Sequence, residues 1–322
     1  MVDVHETRDV ALLRRLLESD RVAGAYLLGD LEAPFFEKGR WLVATRDGSA
    51  IAVVLVLAAF AEPVVLSFGD VEGVRAIVVA PRAEATGPRA DAAGPRAEAA
   101  GPRAEAAGPR AEARGLRSGS GVPSAASGGG RRSDVGHRTS DIGRLPSRCH
   151  LKIPPEHEAA FAAGFEILER GHMLVMALDR CDYRPATSQH DVRRLDASSP
   201  VAPILDVYRS YPGHFFEPGQ LSSGIHFGSF ECDRLVAVAG THVYSPAGRV
   251  AAVGNIVTVS DARGRGHAAA CTSAVIEAVY ERGCETIVLH VAATNAPALA
   301  CYRRLGFHDH GPILQLRGSE SG

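Results

Sequence analysis

The feature that most constrains this chain is a run of period seven in its first half. From Ala80 to Arg114 the sequence reads APRAEAT, GPRADAA, GPRAEAA, GPRAEAA, GPRAEAR. A heptad suggests a coiled coil, but no unit offers a large apolar residue for the a and d positions. The Pro in every unit also breaks a continuous helix. Gly115–Arg148 continues as mostly Gly, Ser and Arg. The 80–148 stretch cannot bury enough surface to offset its ordering entropy, so it is expected to be a disordered insertion. Any core must come from the two flanks. Between Arg82 and Arg148 there are 12 Arg against 7 Asp and Glu, a net of +5, which leaves the rest of the chain at −7. A basic segment could touch nucleic acid. The absence of aromatic stacking residues favours a low-complexity insertion instead.

The 322 residues allow one large domain or two ordinary ones. With 46 % hydrophobic and 22 % charged residues, and a net charge of −2, the chain is an ordinary globular protein. Nothing in that balance calls for a nucleic-acid or membrane partner. The longest apolar run, Ile51–Ala61, falls far short of the roughly 20 residues of a membrane span. The opening MVDVHETRDV has neither a basic nor an apolar signal region, so a cytoplasmic location is expected. The six cysteines never form a C-x-x-C pair and are read as free thiols. The 13 His form no ligand cluster, so no metal is expected. Lysine occurs only at Lys38 and Lys152, against 33 Arg.

In the first flank, Asp9–Leu17 has helical apolar spacing, with Thr7 as the expected cap. Trp41–Thr45, Ile51–Leu57 and Val64–Ser67 read as strands, and Asp70–Val79 as a helix capped by Asp70. After the insertion, Pro155–Ala163 is expected to be helical and His172–Leu178 a strand. Residues 1–79 plus 149–180 are therefore read as one N-terminal domain from which 80–148 loops out. A linker, Cys181–Ala186, leads to a second domain over 187–317. There, strands are expected at Asp191–Leu195, Ile225–Phe230, Leu235–Tyr244, Arg249–Val259, Thr286–Val291 and Ile313–Leu316. Helices are expected at Val201–Tyr211, Gly264–Arg282 and Pro297–Leu305. This order indicates an α/β fold with a mixed sheet covered by helices.

Two stretches carry chemistry. In Val257-Thr258-Val259-Ser260-Asp261-Ala262-Arg263-Gly264-Arg265-Gly266-His267-Ala268 a strand runs through a glycine turn into an Ala-rich helix. Such a turn exposes backbone N–H groups at the positive end of a helix, which suits a phosphate or pyrophosphate. It is neither a Walker A loop nor G-x-G-x-x-G, so a nicotinamide dinucleotide is not expected. The second stretch is Asn295-Ala296-Pro297-Ala298-Leu299-Ala300-Cys301-Tyr302-Arg303-Arg304-Leu305-Gly306-Phe307. Taken alone, Asn295 reads as a helix N-cap, Tyr302 as a half-buried helix residue and Gly306 as a C-cap.

Together the two stretches resemble the GNAT superfamily of acyl-CoA-dependent N-acetyltransferases. Arg263-Gly264-Arg265-Gly266-His267-Ala268 matches its Arg/Gln-x-x-Gly-x-Gly/Ala pyrophosphate loop, with Arg263, Gly266 and Ala268 on the specified positions. Asn295, Ala298, Tyr302, Gly306 and Phe307 match its second motif. The resemblance covers about 189–316. The N-terminal part, chiefly at Leu27–Leu31, looks like the degenerate GNAT-like half of two-domain members, including relatives of glycine N-acyltransferases. The resemblance implies acetyl-CoA as co-substrate and a small-molecule or peptide amine as acceptor. It implies that the backbone of Val257 and Val259 bonds the pantetheine arm. The Arg263, Gly264, Arg265, Gly266, His267 and Ala268 segment would hold the pyrophosphate, Asn295 would bond the cofactor, and Tyr302 would protonate the leaving thiolate. Some members carry a Glu in the strand before the loop, but Arg249–Ser260 contains no Asp, Glu or His. Candidate bases are then His242, His290 and Glu231 on neighbouring strands, with a water relay or an amine already neutral as alternatives. Loop 212–224, with Tyr211, His214, Phe215 and Phe216, suggests a partly aromatic acceptor wall. The competing readings are a CoA-binding regulatory protein and an interaction protein acting through its Arg-rich insertion.

Overall fold

The computed structural model describes residues 1–33, 35–58, 62–80, 145–187, 189–211, 214 and 216–320. The insertion read as disordered lies almost wholly outside them, as does Phe215.

The first half runs β1 (Val2–Glu6), α1 (Val10–Leu17), α2 (Ala25–Asp30), α3 (Phe35–Lys38), β2 (Gly39–Arg46), β3 (Ser49–Leu57), β4 (Val64–Gly69), α4 (Val71–Val78), β5 (Arg148–Ile153), α5 (Glu158–Ala162) and β6 (Phe165–Leu178). The second runs β7 (Asp191–Leu195), α6 (Val201–Tyr208), α7 (Gln220–Ser223), β8 (His226–Glu231), β9 (Arg234–Ser245), β10 (Val250–Thr258), α8 (His267–Glu281), β11 (Thr286–Ala292), α9 (Ala296–Arg304) and β12 (His308–Glu320). The mixed α/β class expected from the sequence is what the chain adopts. No helix among the described residues is long and apolar enough to cross a membrane.

The twelve strands among the described residues join one sheet, ordered β1-β2-β3-β4-β5-β12-β6-β11-β10-β9-β8-β7. Each half has one parallel pair, β4 with β5 and β10 with β11, bridged by α4 and α8 respectively. The closing strands are exchanged. The last strand, β12, lies between β5 and β6, and β6 pairs β11. One apolar cluster likewise joins Leu27, Leu28 and Trp41 of the first half to Val243, Val250 and Val288 of the second.

Local differences from the sequence reading have local causes. Asp9, not Thr7, caps α1: its carboxylate accepts from the Leu12 amide at 2.9 Å, while the Thr7 hydroxyl accepts from the Asp9 amide at 3.1 Å. Helix α6 stops at Tyr208 rather than Tyr211 because its last turn tightens. The Ser210 amide and hydroxyl both bond the Val207 carbonyl, at 3.3 and 2.7 Å. Strand β12 is 13 residues long rather than four because neighbours on both sides supply ladders.

A parallel crossover of this kind needs only about 10–12 residues including its helix. The described residues 70–80 and 145–147 already supply that between β4 and β5. Replacing 81–144 with a short Gly/Ser linker is therefore expected to leave the thermal midpoint within about 2 °C of the full chain, where one kcal/mol moves a domain of this size by roughly that much. A deletion protein that is insoluble, or that melts ten degrees lower, would show that the segment stabilises the fold.

Candidate active site

Strands β10 and β11 pair only through Val250–Ala252 and Thr286–Val288, then separate. The separation opens a cavity of about 780 Å³. Its wall includes residues 253–258, Arg263, Gly264, Gly266, His267, Ala268, His290, Asn295 and Tyr302, joined by Tyr26 and Lys152 of the first half.

At one side stands the start of α8. Gly264 and Gly266 have φ of 75° and 94°, a region that disfavours any residue with a Cβ. A Cβ at Gly264 would meet no atom within 4 Å, so the backbone faces open space. Helix α8 keeps its apolar face on the sheet through Cys271, Val275 and Val279, and ends at Gly283, whose φ is 81°. Four unpaired amides and the dipole at its N-terminus favour a phosphorylated ligand. The loop is braced from below. The fully buried His267 ring donates from Nε2 to Glu231 at 2.8 Å, which leaves Nδ1 to accept from the Ser229 hydroxyl at 2.9 Å. Arg265 is tied to Glu231 at 2.9 Å and to the Asp261 carbonyl at 2.6 Å. Arg263 bonds the Thr258 carbonyl at 3.1 Å. Glu231 and Arg265 thus sit under the loop and do not line the cavity. Among the described residues, the first half has no such feature. There β4 enters α4 at Asp70, whose carboxylate accepts from the Gly73 amide at 2.9 Å and places a negative charge where an anion would otherwise sit.

The backbone of β10 needs a correction. The Val259 amide donates to the Val236 carbonyl at 2.9 Å, and its own carbonyl accepts from the Ala262 amide at 3.0 Å. Strand alternation turns the Val257 amide toward β9 as well, since Val257 pairs Val238. The cleft-facing backbone group at this end is that of Thr258, one residue from each position expected. The Thr258 hydroxyl and His290 Nδ1 are buried in the cavity wall without a partner among the described residues. An extended, phosphorylated ligand with amides along its arm fits this wall, because it answers both orphan groups and the open turn at Gly264.

Asn295 keeps its capping role, its side-chain oxygen accepting from the Ala298 amide at 3.3 Å, and also lines the cavity. Tyr302 lies two turns on in α9, only 8 % exposed. Burial pushes its phenol well above the usual value, so it stays protonated.

The deeper wall was not legible as a site. Strand β10 bulges between Gly254 and Val257, and Asn255 there takes φ 52°. The Tyr208 hydroxyl donates to the Asn255 carbonyl at 2.7 Å. His242 Nε2 lies 2.9 Å from Asn255 Oδ1 and 3.2 Å from the Asn255 amide nitrogen, and its Nδ1 shares a hydrogen bond with the Tyr26 hydroxyl at 3.2 Å. An added Cβ at Gly254 would sit 2.5 Å from the His242 ring, so glycine is what lets the imidazole lie against β10. The Tyr26 ring stacks on His290 at 4.3 Å. Burial pulls His242 down to about 4 and His290 well below its usual value.

These imidazoles set a pH dependence. His157, His226, His242 and His290 are all pushed down, chiefly by burial, with His226 and His242 at about 4. The unfolded chain, with His near 6.5, binds more protons than the folded one between pH 6.5 and 4. Their contribution is complete above pH 6.5 and lost as pH falls through that window. Asp30, raised to about 8 by burial, works the other way, but it is one proton against four. The thermal midpoint is therefore expected to fall steadily from pH 7 to pH 4.5. A midpoint that stays level or rises over that range would contradict the buried neutral state of these rings.

Residues 191–307 match the Acetyltransferase (GNAT) family model. A mycothiol acetyltransferase from Corynebacterium jeikeium (strain K411) is 44 % identical over 52 residues, 16 % of this chain and 15 % of that protein. The N-alpha-acetyltransferase MAK3 of Arabidopsis thaliana is 37 % identical over 73 residues, 23 % of this chain and 37 % of that protein. Each alignment thus spans well under two thirds of the relative. A GCN5-related N-acetyltransferase from Sphaerobacter thermophilus shares the fold at a TM-score of 0.52, over 99 % of this chain and 95 % of that one, with 14 % identity. The strand-turn-helix loop and the splayed strands lie within residues 191–307, the segment that matches the Acetyltransferase (GNAT) family and forms a GNAT acetyltransferase domain.

Proposed function

We propose that the chain moves an acetyl group from acetyl-CoA to a primary amine, using one site per chain. The observation that carries this reading is the single cavity that joins the α8 N-terminus, the edge of β10 and Tyr302. In this reading 187–317 is the catalytic domain, and 1–79 with 149–180 is a GNAT-like half that completes the wall. The amides of 263–268 hold the pyrophosphate, and the Thr258 backbone and Asn295 hold the arm. Glu231 serves as a brace for His267 and Arg265 rather than as a base.

Acetyl-CoA would supply a thioester carbonyl, at which the amine lone pair forms the C–N bond as the C–S bond breaks. Tyr302 gives its proton to the departing sulfur and is restored from solvent. The amine must lose a proton, and the wall offers no carboxylate in β10 to take it. His290 and the Tyr26–His242 pair face that end of the cavity, and as neutral groups they can accept or relay it. The names of the relatives favour an amine acceptor on either a small molecule or a peptide N-terminus.

The test is a panel of amines incubated with acetyl-CoA and followed by mass spectrometry. Free CoA and N-acetyl product should appear in equal amounts for at least one acceptor class. Binding of acetyl-CoA with no product from any amine would favour a regulatory CoA-binding protein instead.

A further inference from the structure

The turn before α8 is held by a residue that does not belong to it. His190 lies one place before β7, the outermost strand of the sheet, and Asp191 of that strand pairs Phe230 of β8. The His190 ring lies 4.0 Å, centre to centre, from the ring of His267, which Ser229 and Glu231 fix in turn. From there His190 Nε2 donates to the Arg265 carbonyl at 2.9 Å. A carbonyl oxygen can only accept, so the ring carries a proton on Nε2 at this bond. Neither His190 nor Arg265 lines the cavity, whereas Gly264, Gly266 and His267 do.

We infer that His190 is a positioning residue for the pyrophosphate of the acyl donor: its hydrogen bond holds the peptide between Arg265 and Gly266 with the carbonyl turned away from the cavity and the Gly266 amide turned into it. This rests on the acetyltransferase reading and adds a residue to its donor site. In a trans peptide the carbonyl and the following N–H point in opposite directions, so a partner that fixes one fixes the other. The peptide needs a lock because glycine supplies none. A flip of the 265–266 plane would carry φ of Gly266 from 94° to about −86°, and glycine accepts both signs. The flipped peptide would present a carbonyl oxygen where the Gly266 N–H stands, replacing attraction for a phosphate with repulsion. The other contacts of Arg265 do not prevent this, since its guanidinium, not its backbone, bonds Glu231 and the Asp261 carbonyl. Among the described residues, the bond from His190 is the one made to this peptide. No backbone amide from Gly264 to Ala269 has a partner among the described residues, so each can donate to an anion once the turn is held in this form.

The experiment uses the full chain and two acyl donors, acetyl-CoA and acetyl-pantetheine, which has the same thioester and arm without the pyrophosphate. His190→Phe keeps a ring to stack on His267 and loses the hydrogen-bond donor. Its acetyl-CoA dissociation constant by calorimetry should rise about three- to tenfold, the usual worth of one hydrogen bond. The kcat/KM for acetyl-CoA should fall by the same factor through KM, with kcat unchanged and acetyl-pantetheine used as well as by wild type. His190→Gln, whose side-chain amide can donate to the same carbonyl, should recover most of the affinity. A Phe variant that binds acetyl-CoA as wild type does would overturn the inference. So would an equal loss on both donors, which would mean a general structural role. A Gln variant no better than Phe would overturn it too, since the bond would then not be what matters. Calorimetry separates the two readings. If wild type binds acetyl-CoA but acetylates no amine, the acetyltransferase reading fails, while binding by the variants still decides the role of His190. If wild type does not bind acetyl-CoA, both fail.

Discussion

Replacing Tyr302 with Phe is expected to cut turnover by about 10²–10⁴-fold, the usual worth of a positioned general acid, with acetyl-CoA affinity within about twofold of wild type. The ring stays, so its packing against Phe307, at 6.0 Å between centres, survives. What is lost is one proton on one oxygen in the cavity wall. Burial matters in two ways. It keeps the phenol protonated across the working pH range, so the proton is always present. It also makes the phenolate costly, so the proton must be regained quickly after each turnover. A role in packing alone predicts the opposite pattern: turnover near wild type and a small drop in thermal midpoint. Steady-state rates within twofold of wild type, on an identified acceptor, would remove Tyr302 from the mechanism. A matching loss of acetyl-CoA affinity would instead make it a binding residue.

The second half of the chain was largely legible because its signals are local. A strand entering a glycine turn and then a helix is written in consecutive residues, and so are the Asn295 cap and the Gly306 stop. The Asp70 cap of α4 was legible for the same reason. Much of the first half was not. Its short helix α2 buries all six of its residues, Asp30 among them, so no periodicity marks it. Its fit depends on Gly29, where a Cβ would strike Val243 of β9, a partner more than two hundred residues away. The exchange of β6 and β12 is equally silent, because a strand's own residues do not say which edge it will join. Residue roles depend on tertiary pairing that no single stretch records. The Val257 and Val259 assignment missed the cleft by one position because the bulge at Asn255 sets the alternation, and only the pairing with β9 reveals it. Glu231 looked like a base because it is acidic and near the loop in strand order. Its bonds to His267 and Arg265 are tertiary facts. Tyr26 and Lys152 carried no signal at all, since nothing in either neighbourhood announces a site made by another half of the chain.

Gly264→Glu is expected to weaken acetyl-CoA binding by at least tenfold, about 1.4 kcal/mol. Gly264 is a cleaner position for this test than Gly266. Gly266 caps α8, and a Cβ there would lie 3.4 Å from His190, so a substitution could disturb the helix start itself. At Gly264 there is room for a side chain, and the folded-state cost is the positive φ alone, roughly 1–2 kcal/mol for a non-glycine residue. Gly264→Ala pays that same backbone cost without charge or length. The difference between the two variants therefore isolates what a carboxylate does beside the pyrophosphate amides. Repulsion between like charges should make the Glu variant bind worse than the Ala variant, and added salt should narrow the gap, because screening shortens to about 3 Å at 1 M. Thermal midpoints of the two variants should agree, since the strain is shared. Equal acetyl-CoA affinities for Glu and Ala by calorimetry would mean that the pyrophosphate lies elsewhere, and that the turn before α8 serves only to start the helix.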